Sequence, residues 1–264
     1  MIETKQSSNI KIYPDDVLTT GSFDGGRITE IKPIPFPGES SKPPDTGPLF
    51  YWAWAEAKGY GKIGLHPHKG FEIMSYALEG EIGHYDTLGN RSRVKAGGAQ
   101  VMQTGSGVMH EEETLGEHIE FFQIWFDPHL RMALNNSPRY REFSPDEFPV
   151  KSANGITIKS IIGDTGPIAL ESEAVMKEIT IDSGHRFAWE LAKNYSLAIV
   201  TIDGKGWIVE EGNDRKSSIQ TKYFALVHAT EARIIYFQAG LDKDIKLAII
   251  QVPRNVDYPL YPEQ

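Results

Sequence analysis

Four residues in the first half of the chain have the types and spacing to hold a metal ion. His66 and His68 stand at i and i+2, so both imidazoles fall on one face of an extended strand. His110 and Glu112 repeat that spacing further along. Two strands that each present such a pair can close one site. Three imidazoles and a carboxylate suit a borderline first-row ion: Fe(II), Ni(II), Mn(II), Cu(II) or Zn(II). No thiolate competes, because the chain has no cysteine. Gly105 and Gly107 predict a tight bend that aims the strand carrying His110 inward. Glu72 is the alternative carboxylate. It shares a face with His68 only if the strand runs unbroken through Lys69-Gly70. Glu111 and Glu113 fall on the opposite face and are expected in solvent. His84, His118 and His129 read as ordinary polar residues.

A site of this kind needs strands held in register, and the surrounding sequence supplies them. Glu72 to Leu78 predicts a strand ending at the turn Glu79-Gly80-Glu81. Ile82 to Tyr85 predicts another, closed by a hairpin connection at Asp86-Thr87-Leu88-Gly89-Asn90. Ile119 to Phe126 predicts a long, half-buried strand. Upstream, residues 9–31 read as opening strands around a Phe23-Asp24-Gly25-Gly26 turn. Pro33 to Pro48 is proline-rich and predicts a surface loop. The aromatic run Phe50 to Trp54 predicts core packing, with one ring at the mouth of the metal pocket as its functional reading.

Residues 127–150 are polar and proline-punctuated, and Ser144-Pro145-Asp146-Glu147 can cap one helical turn. Beyond them strands recur at Ile156–Lys159, Ala174–Ile181, Ser196–Ile202, Gly206–Glu210, Tyr223–Val227, Ala232–Phe237 and Lys246–Val252. The ligand spacing does not recur: Arg186 and Phe187 follow His185, and His228 has no acidic residue at i+2. Short strands with frequent turns predict β-sandwiches or small barrels. With 264 residues the chain is large enough for one big domain or for two of ordinary size, each with its own core. The expected division is a metal-binding domain over 1–130, a linker over 131–150, and a second domain without metal over 151–264.

Charge and composition narrow the function. A formal net charge of −9 argues against nucleic acid as a direct ligand, since phosphate binding needs a basic surface. No apolar run reaches the roughly 18–20 residues of a membrane-spanning helix. No basic stretch followed by an apolar one marks a secretory signal near the N-terminus. The absence of cysteine fits a reducing compartment. The expectation is a soluble cytoplasmic protein.

The two ligand-bearing stretches resemble the two halves of the cupin motif, and more closely the pirin family within the cupin superfamily. His66-Pro67-His68-Lys69-Gly70-Phe71-Glu72, Ser75 to Gly80, Asp86 to Asn90 and Gly97 to His110 run almost in phase with pirins. The resemblance is strong over about residues 60–128 and mostly architectural after 150. It implies an all-β bicupin of two tandem jelly-roll domains, the first with a mononuclear iron and the second without. Carried over residue by residue, the ligands are His66, His68, His110 and Glu112, with Glu72 as an alternative or outer residue. The departures are Leu65, where most pirins carry an acidic residue, and the loop Glu56 to Gly61.

The shorter bacterial-type pirins are the closer resemblance, and several of these resemble quercetin 2,3-dioxygenases in activity. The implied function is a metal-dependent dioxygenase acting on a phenolic or flavonol-like substrate with O₂, Glu112 serving as ligand and general base. The ion is most naturally Fe(II), with Ni(II), Mn(II), Cu(II) or Zn(II) compatible. The alternative, taken from animal pirins, is a non-enzymatic iron protein that acts as a redox-sensitive partner of a regulatory protein.

Overall fold

The structure, a computed structural model, describes residues 10–40, 46–212 and 215–261. It is all-β: among the described residues the single α-helix is the short turn Leu130–Ala133. The chain divides into two compact units. One comprises Leu18–Pro149, Ser160–Ala174 and Val256–Gln264, the other Met1–Val17, Val150–Lys159 and Val175–Asn255.

Two long strands organise the first unit. Glu72–Asp86 and Val108–Phe126 pair antiparallel along most of their length. Val108–Phe126 is long enough to take two further partners in succession. Its residues 118–126 pair with Leu49–Lys58, and its residues 108–114 pair with Gly61–His68. Alternation along this strand packs Ile119 and Phe121 against Ile28, Ala55, Ala57 and Ala77. The opposite face sets Phe122 edge-on against Trp52 and Trp54, with ring centroids 5.4 and 5.3 Å away. Burial on both faces stabilises the strand by about 1.5–3 kcal/mol per large apolar side chain.

Two expectations are corrected here. Glu79-Gly80-Glu81 is not a turn. The strand runs on through register shifts between Ala77 and Glu81, with Gly80 at φ 73°, so the glycine makes a bulge that bends one continuous strand. Pro33 does not start a loop either. It lies inside Ile28–Ile34, where the register with Leu49–Lys58 shifts between Ile31 and Ile34, and a bulge tolerates the missing N–H. Residues 41–45 of the expected loop lie outside the described residues. The capped turn at Ser144 is present, its N–H donating to Glu147 at 2.8 Å. Nearby, Arg139–Phe143 forms a strand beside Ala99–Gln103.

The second unit holds two sheets. One has the order Ile10–Tyr13, Phe224–His228, Tyr195–Asp203, Ile245–Pro253, Val175–Ile181, Ile156–Ile162, Val150–Ala153. The other runs Arg186–Leu191, Arg233–Ala239, Lys205–Glu210, Lys216–Gln220. Ile179, Trp189, Leu197, Ile208, Phe237 and Ile249 share its core. His185 and His228 sit apart in it, His185 on the Ser183 carbonyl and His228 against the Ser196 hydroxyl.

Candidate metal centre

Strand register brings the histidines together. His66 and His110 are direct cross-strand partners, and Pro67 and His68 follow opposite Met109 and Val108. A direct pair in an antiparallel ladder projects both side chains from the same face. The approach to His110 requires glycine. Gly105 has φ 50°, and a Cβ there would lie 2.4 Å from the Asn136 carbonyl oxygen. Leu65 lies exposed at the irregularity between Ile63 and His66.

The three imidazoles converge. His66 Nε2 and His110 Nε2 lie 3.0 Å apart. Ring centroids are separated by 4.7 Å for His66 and His68, 4.5 Å for His66 and His110, and 4.9 Å for His68 and His110. One ring nitrogen from each lies within 4.8 Å of the others. His66 Nδ1 faces the Gly64 carbonyl at 2.8 Å, which assigns the proton to Nδ1 and turns the Nε2 lone pair toward His110 and the cluster. His68 Nε2 is buried with no hydrogen-bond partner. Burial, and then the neighbouring imidazoles, lower His68 and His110 to about 3, so both rings are neutral and able to ligate.

Glu112 is buried beside this cluster and lines the same cavity as His66 and His68. Its carboxylate accepts the Ser75 hydroxyl at 3.0 Å and Gln123 Nε2 at 2.8 and 2.9 Å. The three histidines converge without Glu112 among them; it stands at the cavity wall with its orientation set by two side chains. A divalent metal fits these residues. Three imidazole nitrogens lie within 4.8 Å of one another, and one of them, on His68, is buried with no other partner.

Glu72 is elsewhere. The strand breaks after His68, Gly70 takes φ 84°, and the next strand begins at Glu72 itself. The Glu72 carboxylate accepts Gln103 Nε2 at 2.7 Å and the backbone N–H groups of Glu171 and Ser172 at 2.6 and 2.8 Å. Burial pushes this carboxyl up, against the opposing pull of Gln103 and the two amides. Its role is to anchor residues 171–172. Glu111 and Glu113 do face away from the cluster, but they are not simply solvated. Both lie near Lys62 Nζ, at 2.9 and 4.0 Å.

Sequence reasoning missed a buried polar layer behind His110. His84 stacks on Tyr140, with centroids 4.0 Å apart and planes at 8°. Its Nε2 meets Asp86 Oδ2 at 2.9 Å. Asp86 also accepts the N–H groups of Leu88 and Asn90. The ladder sets His84 opposite Glu112 and Asp86 opposite His110, and the His84 ring lies 5.4 Å from that of His110. The i, i+2 spacing of His84 and Asp86 was the available signal. His118 pairs with Glu120 at 3.1 Å near Glu79, and His129 packs against Tyr258.

The cavity has a volume of about 430 Å³, and Phe23, Phe36, Tyr51, Phe121 and Trp125 give it aromatic walls. Trp125 sets its edge against His68 at 4.8 Å. Of the run Phe50 to Trp54, Tyr51 is the ring that reaches this cavity, while Trp52 and Trp54 are core.

Known proteins share both the histidine-bearing segment and the fold. The Pirin family profile matches residues 53–126, which contain all three histidines and Glu112. A pirin-like protein of Caulobacter vibrioides is 30% identical over 163 residues, 58% of this chain and 59% of its own length. A Pseudomonas aeruginosa protein named as a candidate quercetin 2,3-dioxygenase is 30% identical over 164 residues, 61% of this chain and 68% of its own. The crystal structure of the bacterial pirin YhhW from Escherichia coli, in complex with nickel(II), aligns over 92% of this chain and 99% of that one. Its TM-score is 0.72 at 19% sequence identity, a likeness of fold. An all-β bicupin architecture, a matching profile over the histidine-bearing strands and relatives of this similarity lead to one conclusion: the chain belongs to the pirin family.

Proposed function

We propose that this protein is a metal-dependent dioxygenase of the quercetin 2,3-dioxygenase type, working at a mononuclear divalent ion on His66, His68, His110 and Glu112. The first unit is then the metal-bearing cupin and the second a cupin without a metal. The observation that carries the reading is the convergence of three imidazoles at an aromatic-walled cavity that Glu112 also lines. Fe(II) is the ion implied by the family resemblance, and Ni(II) is held by a bacterial pirin of the same fold. When bound, the ion supplies Lewis-acid and redox chemistry for the reaction of an enol or phenol with O₂.

The protein's own residues do the rest. The aromatic walls offer flat apolar faces against which a planar ligand can stack. Ser75 and Gln123 fix the Glu112 carboxylate at the cavity, where it can accept the proton of a substrate hydroxyl. The Gly64 carbonyl holds His66 in the ligating tautomer.

The test is quercetin-dependent O₂ uptake by metal-stripped protein reloaded separately with Fe(II), Ni(II), Mn(II) and Cu(II), beside a His66→Ala variant. Uptake with at least one metal, absent from the variant, is expected. Metal binding with no uptake in any loaded form would overturn the dioxygenase reading.

A further inference from the structure

The cavity beside the histidines holds a second polar feature that metal binding does not use. Lys32 is 6% exposed, and its Nζ lies 3.1 Å from Glu30 Oε1 and 2.5 Å from Glu39 Oε1. Glu30 is equally buried, and its Oε2 accepts the Tyr51 hydroxyl at 2.9 Å. Glu39 is the exposed end of the group, with its other oxygen on the Phe36 N–H at 2.9 Å. All four side chains line the cavity whose remaining wall is largely aromatic.

Fold stability does not account for this arrangement. A buried ion pair is often no more stabilising than well-packed apolar residues of the same volume. The strands also make room for the charge. Gly21 stands directly opposite Glu30, and a Cβ on Gly21 would lie 2.3 Å from Glu30 Oε1. Burial works to lower the Lys32 pKa, but Glu39 and Glu30 outweigh it and keep the ammonium charged. On the same cavity wall, Trp125 Nε1 is buried without a hydrogen-bond partner.

We propose that Glu30, Lys32 and Tyr51 form a hydroxyl-recognising subsite that selects planar aromatic substrates carrying adjacent phenolic hydroxyls. One hydroxyl donates to the Glu30 carboxylate and its neighbour accepts from the Lys32 ammonium, so the two sit on groups of opposite character. Tyr51 holds the carboxylate in place and is a positioning residue. The inference rests on the dioxygenase reading for the substrate's overall shape, and on the cavity wall for its hydroxylated edge. A ligand without those hydroxyls covers the paired ammonium and carboxylate with apolar surface and displaces their remaining water without replacing its hydrogen bonds, which selects against it.

The experiment is anaerobic binding of two flavonols to the nickel-loaded full chain, followed by tryptophan fluorescence. Quercetin carries the hydroxyl pair on its pendant ring, and galangin has none there. Wild-type protein is expected to bind quercetin at least about tenfold more tightly. Glu30→Gln and Lys32→Met should each raise the quercetin Kd about tenfold and move the galangin Kd by much less. Tyr51→Phe, the variant least disturbing to packing, should weaken the preference, and Lys32→Arg should restore part of it. Equal loss of both ligands in the variants would mark a structural role and overturn the subsite. Wild-type binding without preference would overturn the subsite alone. Failure of both flavonols to bind wild type would overturn the subsite together with the dioxygenase reading.

Discussion

His66, His68 and His110 converge because each occupies an inward position of a paired strand, and that much is written in their spacing. That Glu72 turns away from them was not, because it depends on one backbone angle at Gly70 and on amides about a hundred residues away. The layer formed by His84, Asp86 and Tyr140 was equally hidden, since Tyr140 arrives from a distant strand with no local signal. Glu112 depends on Gln123 and Ser75 for its orientation. Removing an outer-shell partner of a metal ligand typically costs about 10–100-fold in affinity. Gln123→Ala should therefore weaken nickel binding by about that factor in calorimetric titration, with the fold intact by circular dichroism. Unchanged affinity would show that Gln123 does not support a ligand.

At the scale of elements, the site hangs on the bend before Val108–Phe126 and on the anchor at the start of Glu72–Asp86. Gly105→Ala forces a side chain into a left-handed conformation and against the Asn136 carbonyl. A loss of about 1–3 kcal/mol in denaturant unfolding is expected. A stability equal to wild type would mean that the bend yields freely. Glu72→Ala leaves two amides of residues 171–172 and Gln103 without their acceptor. That should cost about 1–3 kcal/mol or more while bound metal stays at the wild-type level, which metal analysis of the same sample would check. Loss of metal from Glu72→Ala would return Glu72 to the ligand set.

Alternation made Ile119–Phe126 legible, and aromatic strand propensity marked the run Phe50 to Trp54 inside Leu49–Lys58. Bulges were less so, since Gly80 and Pro33 have the chemistry of turns and only the neighbouring strands decide that the chain continues. The strands Arg186–Leu191 and Lys216–Gln220 were missed as well. Phe187, Trp189 and Leu191 do alternate, and that signal was available; Lys216–Gln220 offers Ile219 as its single apolar residue, too little to stand out from a loop.

At the scale of the whole chain, composition and turn frequency pointed to two β units. Their membership depends on pairings that no local pattern reveals. Ile10–Tyr13 lies at the start of the chain yet pairs with Phe224–His228. Among the described residues, no helix is long and apolar enough to cross a membrane. If one unit carries the metal and the other does not, the full chain should bind one ion at high affinity, and binding should vanish with the histidines. The most direct measurement is equilibrium dialysis of the full chain against nickel(II), followed by metal analysis. One tightly held ion per chain in wild type, falling close to zero in His66→Ala, His68→Ala and His110→Ala variants that remain folded, is the predicted result. Folded histidine variants that keep their nickel would contradict the account.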